Sequence, residues 1–285
     1  RYVTAIRETV AETGCLSPPD VRRIGEAVTP RDDGAFQAAL HWQASGMRSI
    51  FIQDANSLVI KPAELKTVLG HLRSCFPWVE RITSYARSHT VARIADADLQ
   101  AFAAAGLNRI HIGLESGSDR VLTRMKKGVT KAGHIKAGQK IKQAGMQLSE
   151  YVMPGLGGRD LSRDHALETA DCLNRIDPDF IRLRTLAIPN HTELYQDFEA
   201  GNFEKLTDRE AIQPVGEVHR VGRAGEDQRR KRDTESFGNH RQIVAGSDDI
   251  NPLLARSHVF FFKVFLSRIK CFRGAPRNAN LMIAG

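Results

Sequence analysis

Polar side chains gather at five places in this sequence, each at the end of a short apolar run, and their types set the chemistry on offer. The first group is Gln53-Asp54-Ala55-Asn56, the second Ser84-Tyr85-Ala86-Arg87 and the third Gly113-Leu114-Glu115-Ser116-Gly117-Ser118-Asp119. The fourth is Glu150 and Tyr151 followed by Pro154-Gly155-Leu156-Gly157-Gly158, and the fifth is Arg182 and Arg184 before Pro189. Carboxylates accept from ammonium groups and hydroxyls, guanidinium forks bind carboxylate or phosphate, and glycine lets backbone approach a flat ligand. The combination suits a charged, polar small molecule bearing hydroxyls. Each group alone also has a plainer reading. Asp54 and Asn56 suit a helix cap, the glycines a simple turn, and Arg87 a pair with a nearby acid. Arg182 and Arg184 could equally pair with Asp177 or Asp179. Recurrence at corresponding positions carries the functional reading.

Those positions correspond because the runs before them are evenly spaced. Strand-length apolar runs fall at Ser49–Ile52, Arg81–Ser84, Arg109–Leu114, Met146–Met153 and Phe180–Ile188. Helix-like stretches lie between them at Pro62–Cys75, Ala95–Ala105, Ser118–Met125 with Lys131–Ala144, and Ser162–Arg175. Gly106 and Gly145 stand where a helix end wants glycine. The markers Ile50, Ile82, Ile110, Leu148 and Ile181 are 32, 28, 38 and 33 residues apart, about one right-handed βα crossover each. A parallel sheet follows, as a partial barrel or a doubly wound sheet, and in either the ligands gather at the carboxyl ends of the strands. Residues 1–47 read as helices broken by Pro18-Pro19 and Pro30, placed to cover one barrel mouth.

Composition excludes other classes. The 285 residues are 41% hydrophobic and 26% charged, neither disordered nor fibrous. No apolar run approaches the roughly 18 residues of a spanning helix, so a cytoplasmic protein without a membrane partner is expected. Cys15, Cys75, Cys172 and Cys271 are 60, 97 and 99 residues apart, which builds neither a metal knuckle nor a secreted disulfide framework. The net charge of +8 is uneven: residues 1–213 carry 28 Lys and Arg against 26 Asp and Glu, and residues 214–285 carry 13 against 7. The basic excess therefore belongs to a tail with the run Arg229-Arg230-Lys231-Arg232 and a phenylalanine block at His258–Leu266, without helical or strand period. A solvated loop explains the run better than a nucleic-acid contact, so nucleic acid is not an expected partner. The Phe block reads as a short strand prone to aggregation.

The stretches FIQDANSLVI, RITSYARS, RIHIGLESGSDRVLTRMKKGVT, LSEYVMPGLGG and FIRLRTLAIPNHTELY together resemble the strand series of the radical S-adenosylmethionine (radical SAM) superfamily over about residues 40–210. The resemblance implies an α/β fold, a partial (β/α)6 barrel whose first βα unit is missing or incomplete here. The implied domains are a helical segment at 1–47, the barrel core at 48–213 and an irregular tail at 214–285. It also implies a cytoplasmic iron–sulfur oxidoreductase that binds S-adenosylmethionine and, at a [4Fe–4S] cluster, cleaves it reductively to a 5′-deoxyadenosyl radical. A flavodoxin or ferredoxin would supply the electron, and the substrate is unspecified. By position, Gln53, Asp54 and Asn56 stand where the family's Gly-Gly-Glu motif holds the methionine ammonium, though both glycines are absent. Glu115, with Ser116, matches the cofactor-contacting polar residue of the next-but-one strand. Its plainer reading is a cap for the following helix. Lys127 matches the partner of the methionine carboxylate, or is a solvated helix end. Glu150 matches the acceptor for the ribose hydroxyls, and Gly155, Leu156 and Gly158 the backbone beside the adenine. Ser84 and Arg87 are expected to face the same site, and Tyr85, Tyr151, Arg182 and Arg184 its substrate side.

Two departures stand out. No CxxxCxxC motif occurs, so the chain as written lacks the cluster ligands and is expected to be an N-terminally shortened piece, since Arg1 stands where the first βα unit would run. Beyond Thr207-Asp208-Arg209-Glu210 the pattern stops, which suggests a reading-frame change near residue 213. The alternative to an enzyme core is a clusterless module that binds S-adenosylmethionine or a nucleotide without catalysis. A nucleic-acid binder using the tail is a third reading. His111 lies on a strand and points either into the barrel or out to the helices, while His165 and His191 read as helix and loop residues.

Overall fold

A computed structural model describes residues 1–211 and, as backbone, short strands at 242–245 and 261–262. Three helices come first: α1 (Tyr2–Thr13), α2 (Pro18–Ala27) and α3 (Asp33–Ala44). Pro18 and Pro19 open α2 rather than merely break a helix. Ser17 accepts from the backbone of Asp20 and Asp20 answers at the backbone of Ser17, and proline in the first turn lacks only a donor that would have no partner.

Strand and helix then alternate: β1 (Ser49–Ile52), α4 (Pro62–Cys75), β2 (Arg81–Ala86), α5 (Ser88–Val91), α6 (Asp96–Ala104), β3 (Leu107–Glu115), α7 (Asp119–Arg124), α8 (Lys131–Gln143), β4 (Gln147–Val152), α9 (Ser162–Ile176), β5 (Phe180–Leu183) and α10 (Glu193–Glu199). The helices expected from sequence lie within a residue of their positions. Gly106 and Gly145 take the left-handed conformation, φ 101° and 80°, at the ends of α6 and α8. Two short helices, α5 and α10, carry too few periodic residues to be read in advance. Strand β5 is shorter than the apolar run Phe180–Ile188 because that run serves two cores: Leu186 and Ile188 pack with Val121, Leu156, Leu161 and Phe203 in a separate small cluster.

All five strands are parallel, in the order β5-β4-β3-β2-β1. Order follows sequence with no reversal, so there is no topological switch point, and the sheet is of the barrel kind, not doubly wound. Strand β6 (Gln242–Ala245) pairs parallel to β5, and strand β7 (Phe261–Phe262) parallel to β1. The basic run 229–232, Cys271, the rest of the Phe block and the stretch from 213 where a reading-frame change is expected lie outside the described residues.

The N-terminal helices share the barrel's core. Tyr2, Ile6, Ile24, Phe36 and Trp42 belong to one buried cluster with Leu65, Leu69, Ile82, Ile110 and Leu148. The Trp42 indole donates to the carbonyl of Ser49, the first residue of β1, and its ring lies 5.1 Å from Phe76 and 6.5 Å from Trp78, just ahead of β2. These helices therefore pack near the amino ends of the strands, away from the polar ends.

Candidate functional site

Strand side chains alternate between two faces, and the register settles which residues share one. Ile82, Ile110, Leu148 and Ile181 face the helices: a Cβ on Gly138 of α8 would lie 3.2 Å from Leu148 and 2.5 Å from Ile176 of α9. Their alternates, Phe51, Arg81, Thr83, Tyr85, Arg109, His111, Gly113, Gln147, Ser149, Tyr151, Phe180 and Arg182, line the lumen.

Glu150 is two residues from Leu148 and pairs in register with Ile112 and Ile181. It faces the helices, fully buried, with both carboxylate oxygens unpartnered. This corrects the expectation that it joins the polar ends of the other strands: period two turns Tyr151 and Ser149 inward and Glu150 out. Burial holds its carboxyl well above the ordinary range. Ser84 is likewise buried on the outer face and bonds the Ile52 carbonyl at 3.4 Å.

The lumen holds a cluster of rings. Phe51 stacks on His111 at 5.6 Å and meets Tyr85 edge-on at 4.9 Å, and Tyr151 lies 5.6 Å from His111 and 6.3 Å from Tyr85. Guanidinium groups cap the rings, Arg184 at 4.9 Å and Arg182 at 5.9 Å from Tyr151, and Arg109 at 4.4 Å from Phe180. Gly113, at the sheet's centre, is solvent-exposed, so the lumen is open at its level. Burial, followed by the fields of Arg182, Arg109, Arg81 and Arg184, pushes the His111 imidazole down to about 3, which leaves it neutral at physiological pH. Burial and the neighbouring Tyr151 push the Tyr85 phenol up to about 12. The inward location of His111 resolves the choice its sequence position left open. Ser149, Arg109 and Arg81 were not anticipated, although counting by twos from Tyr151 and Tyr85 finds Ser149 and Arg81.

At the rim, Glu115 sits at the end of β3 with φ 59°, a conformation uncommon outside glycine. Its backbone carbonyl accepts from Met153 at 3.1 Å, and its carboxylate folds back within 3.3 Å of where a Cβ on Gly113 would stand. Lys127, beyond α7, forms an ion pair with it. A carboxylate and an ammonium side by side can exchange each other for the ammonium and carboxylate of an amino-acid zwitterion.

The other expected residues are placed differently. Ser116 is buried and bonds His165 Nδ1 at 2.8 Å, turned to α9 and not to the lumen. Asn56 is a clasp: its amide donates to Thr90 at 2.9 Å and its oxygen accepts from the Arg87 backbone at 3.0 Å. Gln53, Asp54 and Arg87 are exposed, and Asp54 accepts from the backbone of Ala55. Gly155 and Gly158 take left-handed φ in a buried turn, packed against Ala211 and Phe203, and Leu156 belongs to the small cluster. Tyr85, Tyr151, Arg182 and Arg184 are brought together. Asp179 binds Lys142 and the backbone of Leu148, so it is not held by the arginines.

The carboxylate–ammonium pair at the rim complements the zwitterionic end of S-adenosylmethionine. An iron–sulfur cluster does not fit the described residues: Cys15 and Cys75 are exposed, Cys172 is buried, and no three His, Cys, Asp or Glu residues converge to hold a metal. No helix among the described residues is long and apolar enough to cross a membrane.

Comparison with known proteins gives the same fold. The profile of the Radical SAM superfamily matches residues 21–171. The chain is 28% identical over 115 residues to the tRNA uridine(34) acetyltransferase of Methanocaldococcus jannaschii, covering 39% of this chain and 20% of that protein. It is 28% identical over 111 residues to the enzyme of the same name from Methanocaldococcus infernus, covering 39% and 21%. The match thus spans about a fifth of these relatives' length. Among solved structures, the archaeal Elp3 of Methanocaldococcus infernus, with an N-terminal deletion, superposes with a TM-score of 0.51 at 18% identity over 65% of this chain and 48% of that one.

Proposed function

This chain belongs to the Radical SAM superfamily, and on that premise we propose that it is the barrel core of an enzyme that binds S-adenosylmethionine at the carboxyl rim of its strands. When bound and reduced by a [4Fe–4S] cluster, that cofactor supplies a 5′-deoxyadenosyl radical in this superfamily. Since the described cysteines do not converge, the cluster's ligands are not among them. The residues of this chain bind and orient. Glu115 accepts from the methionine ammonium and Lys127 holds the methionine carboxylate, both given up by their present mutual pair. Tyr85 and Tyr151 wall off water beneath, and Arg182 and Arg184 face the substrate. The observation that carries this reading is the Glu115–Lys127 pair above an open Gly113.

The two curated relatives are named for uridine 34 of tRNA, and a basic lumen suits a phosphate-bearing substrate. RNA is therefore the substrate class we favour, in place of the sequence expectation that nucleic acid is not a partner.

The test is equilibrium dialysis of S-adenosylmethionine against the full chain. Glu115→Gln and Lys127→Met should each weaken binding about tenfold or more, the loss expected for a hydrogen bond to a charged group. Unaltered binding in both variants would remove the rim assignment. A second reading, a binding module without catalysis, is favoured by the dispersal of Cys15, Cys75 and Cys172. Sequencing the locus upstream of Arg1 separates the two: an in-frame CxxxCxxC supports the enzyme, and a start codon directly before Arg1 without it supports the module.

A further inference from the structure

Among the described residues, the lumen contains more positive charge than its side chains answer. Arg81, Arg109 and Arg182 project from β2, β3 and β5, and Arg184 follows at the mouth. By register Arg109 and Arg81 stand below the His111 layer and Arg182 and Arg184 above it, so their positive charge flanks it on both sides. Among the described residues none of the four has a carboxylate within ion-pair distance; Arg109 is held by the neutral Gln147 amide at 2.6 and 2.9 Å. The one inward acid on the described strands of the barrel, Glu115, is already engaged with Lys127.

Beneath the rim, three buried polar atoms lack partners among the described residues: Ser149 Oγ, His111 Nδ1 and Arg182 Nε. Ser149 is fully buried and His111 is 5% exposed. They belong together by register, since Ser149 lies between His111 and Phe180, and one layer nearer the mouth Tyr151 lies between Gly113 and Arg182. Buried polar atoms without partners are few in folded proteins and call for an explanation. A hydroxyl, a neutral imidazole and a guanidinium edge, in a positive and partly desolvated lumen, share one complement.

We propose that the barrel lumen holds an oxyanion, a phosphate or carboxylate group of the substrate, against Arg182, Ser149 and His111. Arg182 Nε and Ser149 Oγ donate to it, His111 donates from the tautomer protonated at Nδ1, Arg184 guards the mouth, and Arg109 adds charge from below. A cationic ligand is disfavoured by four guanidinium groups, and an uncharged apolar one would leave all three polar atoms unanswered. The inference rests on reading the rim as the cofactor site only in that it places the oxyanion one layer deeper than Glu115 and Lys127.

Calorimetric titration of the full chain at low ionic strength with inorganic pyrophosphate, and separately with succinate, tests this and tells the two sources apart. One or both should bind at one per chain, with the His111 ring resonances shifting on addition. Arg182→Gln should weaken binding at least tenfold, Ser149→Ala about fivefold, and Arg182→Lys should recover only part of the loss. Ser149→Ala removes a single buried hydroxyl, and an unchanged circular dichroism spectrum and melting point verify its fold. If neither anion binds, or both variants bind as the wild type does, the proposal is overturned. A parallel titration with S-adenosylmethionine keeps the readings separate. Anion binding without cofactor binding defeats the rim assignment alone, and cofactor binding without anion binding defeats the lumen site alone.

Discussion

Glu150 shows how far one position in a strand can mislead. Its neighbours on both sides in sequence, Ser149 and Tyr151, face the lumen, and the carboxylate between them is buried on the helix-packed face with neither oxygen bonded. Burial raises the folded carboxyl above its ordinary 4.5. Folding therefore takes up a proton between the two values, and the stability contributed by this site is lost as pH rises from the ordinary value through the folded one. Glu150→Leu should make the protein more stable than wild type at pH 8, by about 1–3 kcal/mol. The gain should shrink as pH falls towards 4.5, measured by urea unfolding at each pH. An equal stability difference at both ends of that range would show that the carboxyl ionises in the folded protein as it does in the unfolded chain, with no upward shift from burial. Glu115 is the opposite case: its side chain follows Gly113 inward, and a local backbone at φ 59° presents it at the rim.

At the scale of elements, the loop after β3 determines where Glu115 stands, and α9 holds that loop. His165 of α9 bonds Ser116 at 2.8 Å and the Met153 carbonyl at 3.2 Å, Thr169 accepts from the Gly117 backbone at 2.9 Å, and Asp164 accepts from Ser118, which caps α7. Burial keeps His165 below its ordinary value and so neutral, which suits its bonds to a hydroxyl and a carbonyl. Gly117 has no room for a side chain, since a Cβ would lie 2.4 Å from the Glu168 carbonyl and 2.7 Å from the Thr169 backbone. Neither neighbour can rotate away. Gly117→Ala should destabilise the fold by about 1–3 kcal/mol through overpacking, seen as a lower melting temperature, and should weaken S-adenosylmethionine binding because the loop leaves α9. A variant that melts as the wild type does would mean that the contact is not tight in solution. The GLESGSD stretch was legible as chemistry, but not as the clasp, because the partners are 46 to 52 residues away.

At the scale of the molecule, α1 to α3 and the barrel form one core. Trp42 is 1% exposed and touches the entries to both β1 and β2. Trp42→Ala should cost about 3–5 kcal/mol and lower a single unfolding transition monitored both at the helices and at the barrel. Two separated transitions would instead mark residues 1–47 as an independent unit. The sequence by itself determined the alternation of strand and helix, the ends of α4, α6, α7, α8 and α9, and the family. Those follow from short-range physics: apolar period, capping hydroxyls and glycines with positive φ. Only the tertiary structure decided that the strands run in sequential order and so curve as a barrel. It also decided which alternate residues face the lumen, and that Ser116 and Asn56 serve as clasps. Each of these depends on contacts between residues tens of positions apart, and a one-residue change of strand phase, invisible to composition and spacing, exchanges the lumen for the helix-packed core.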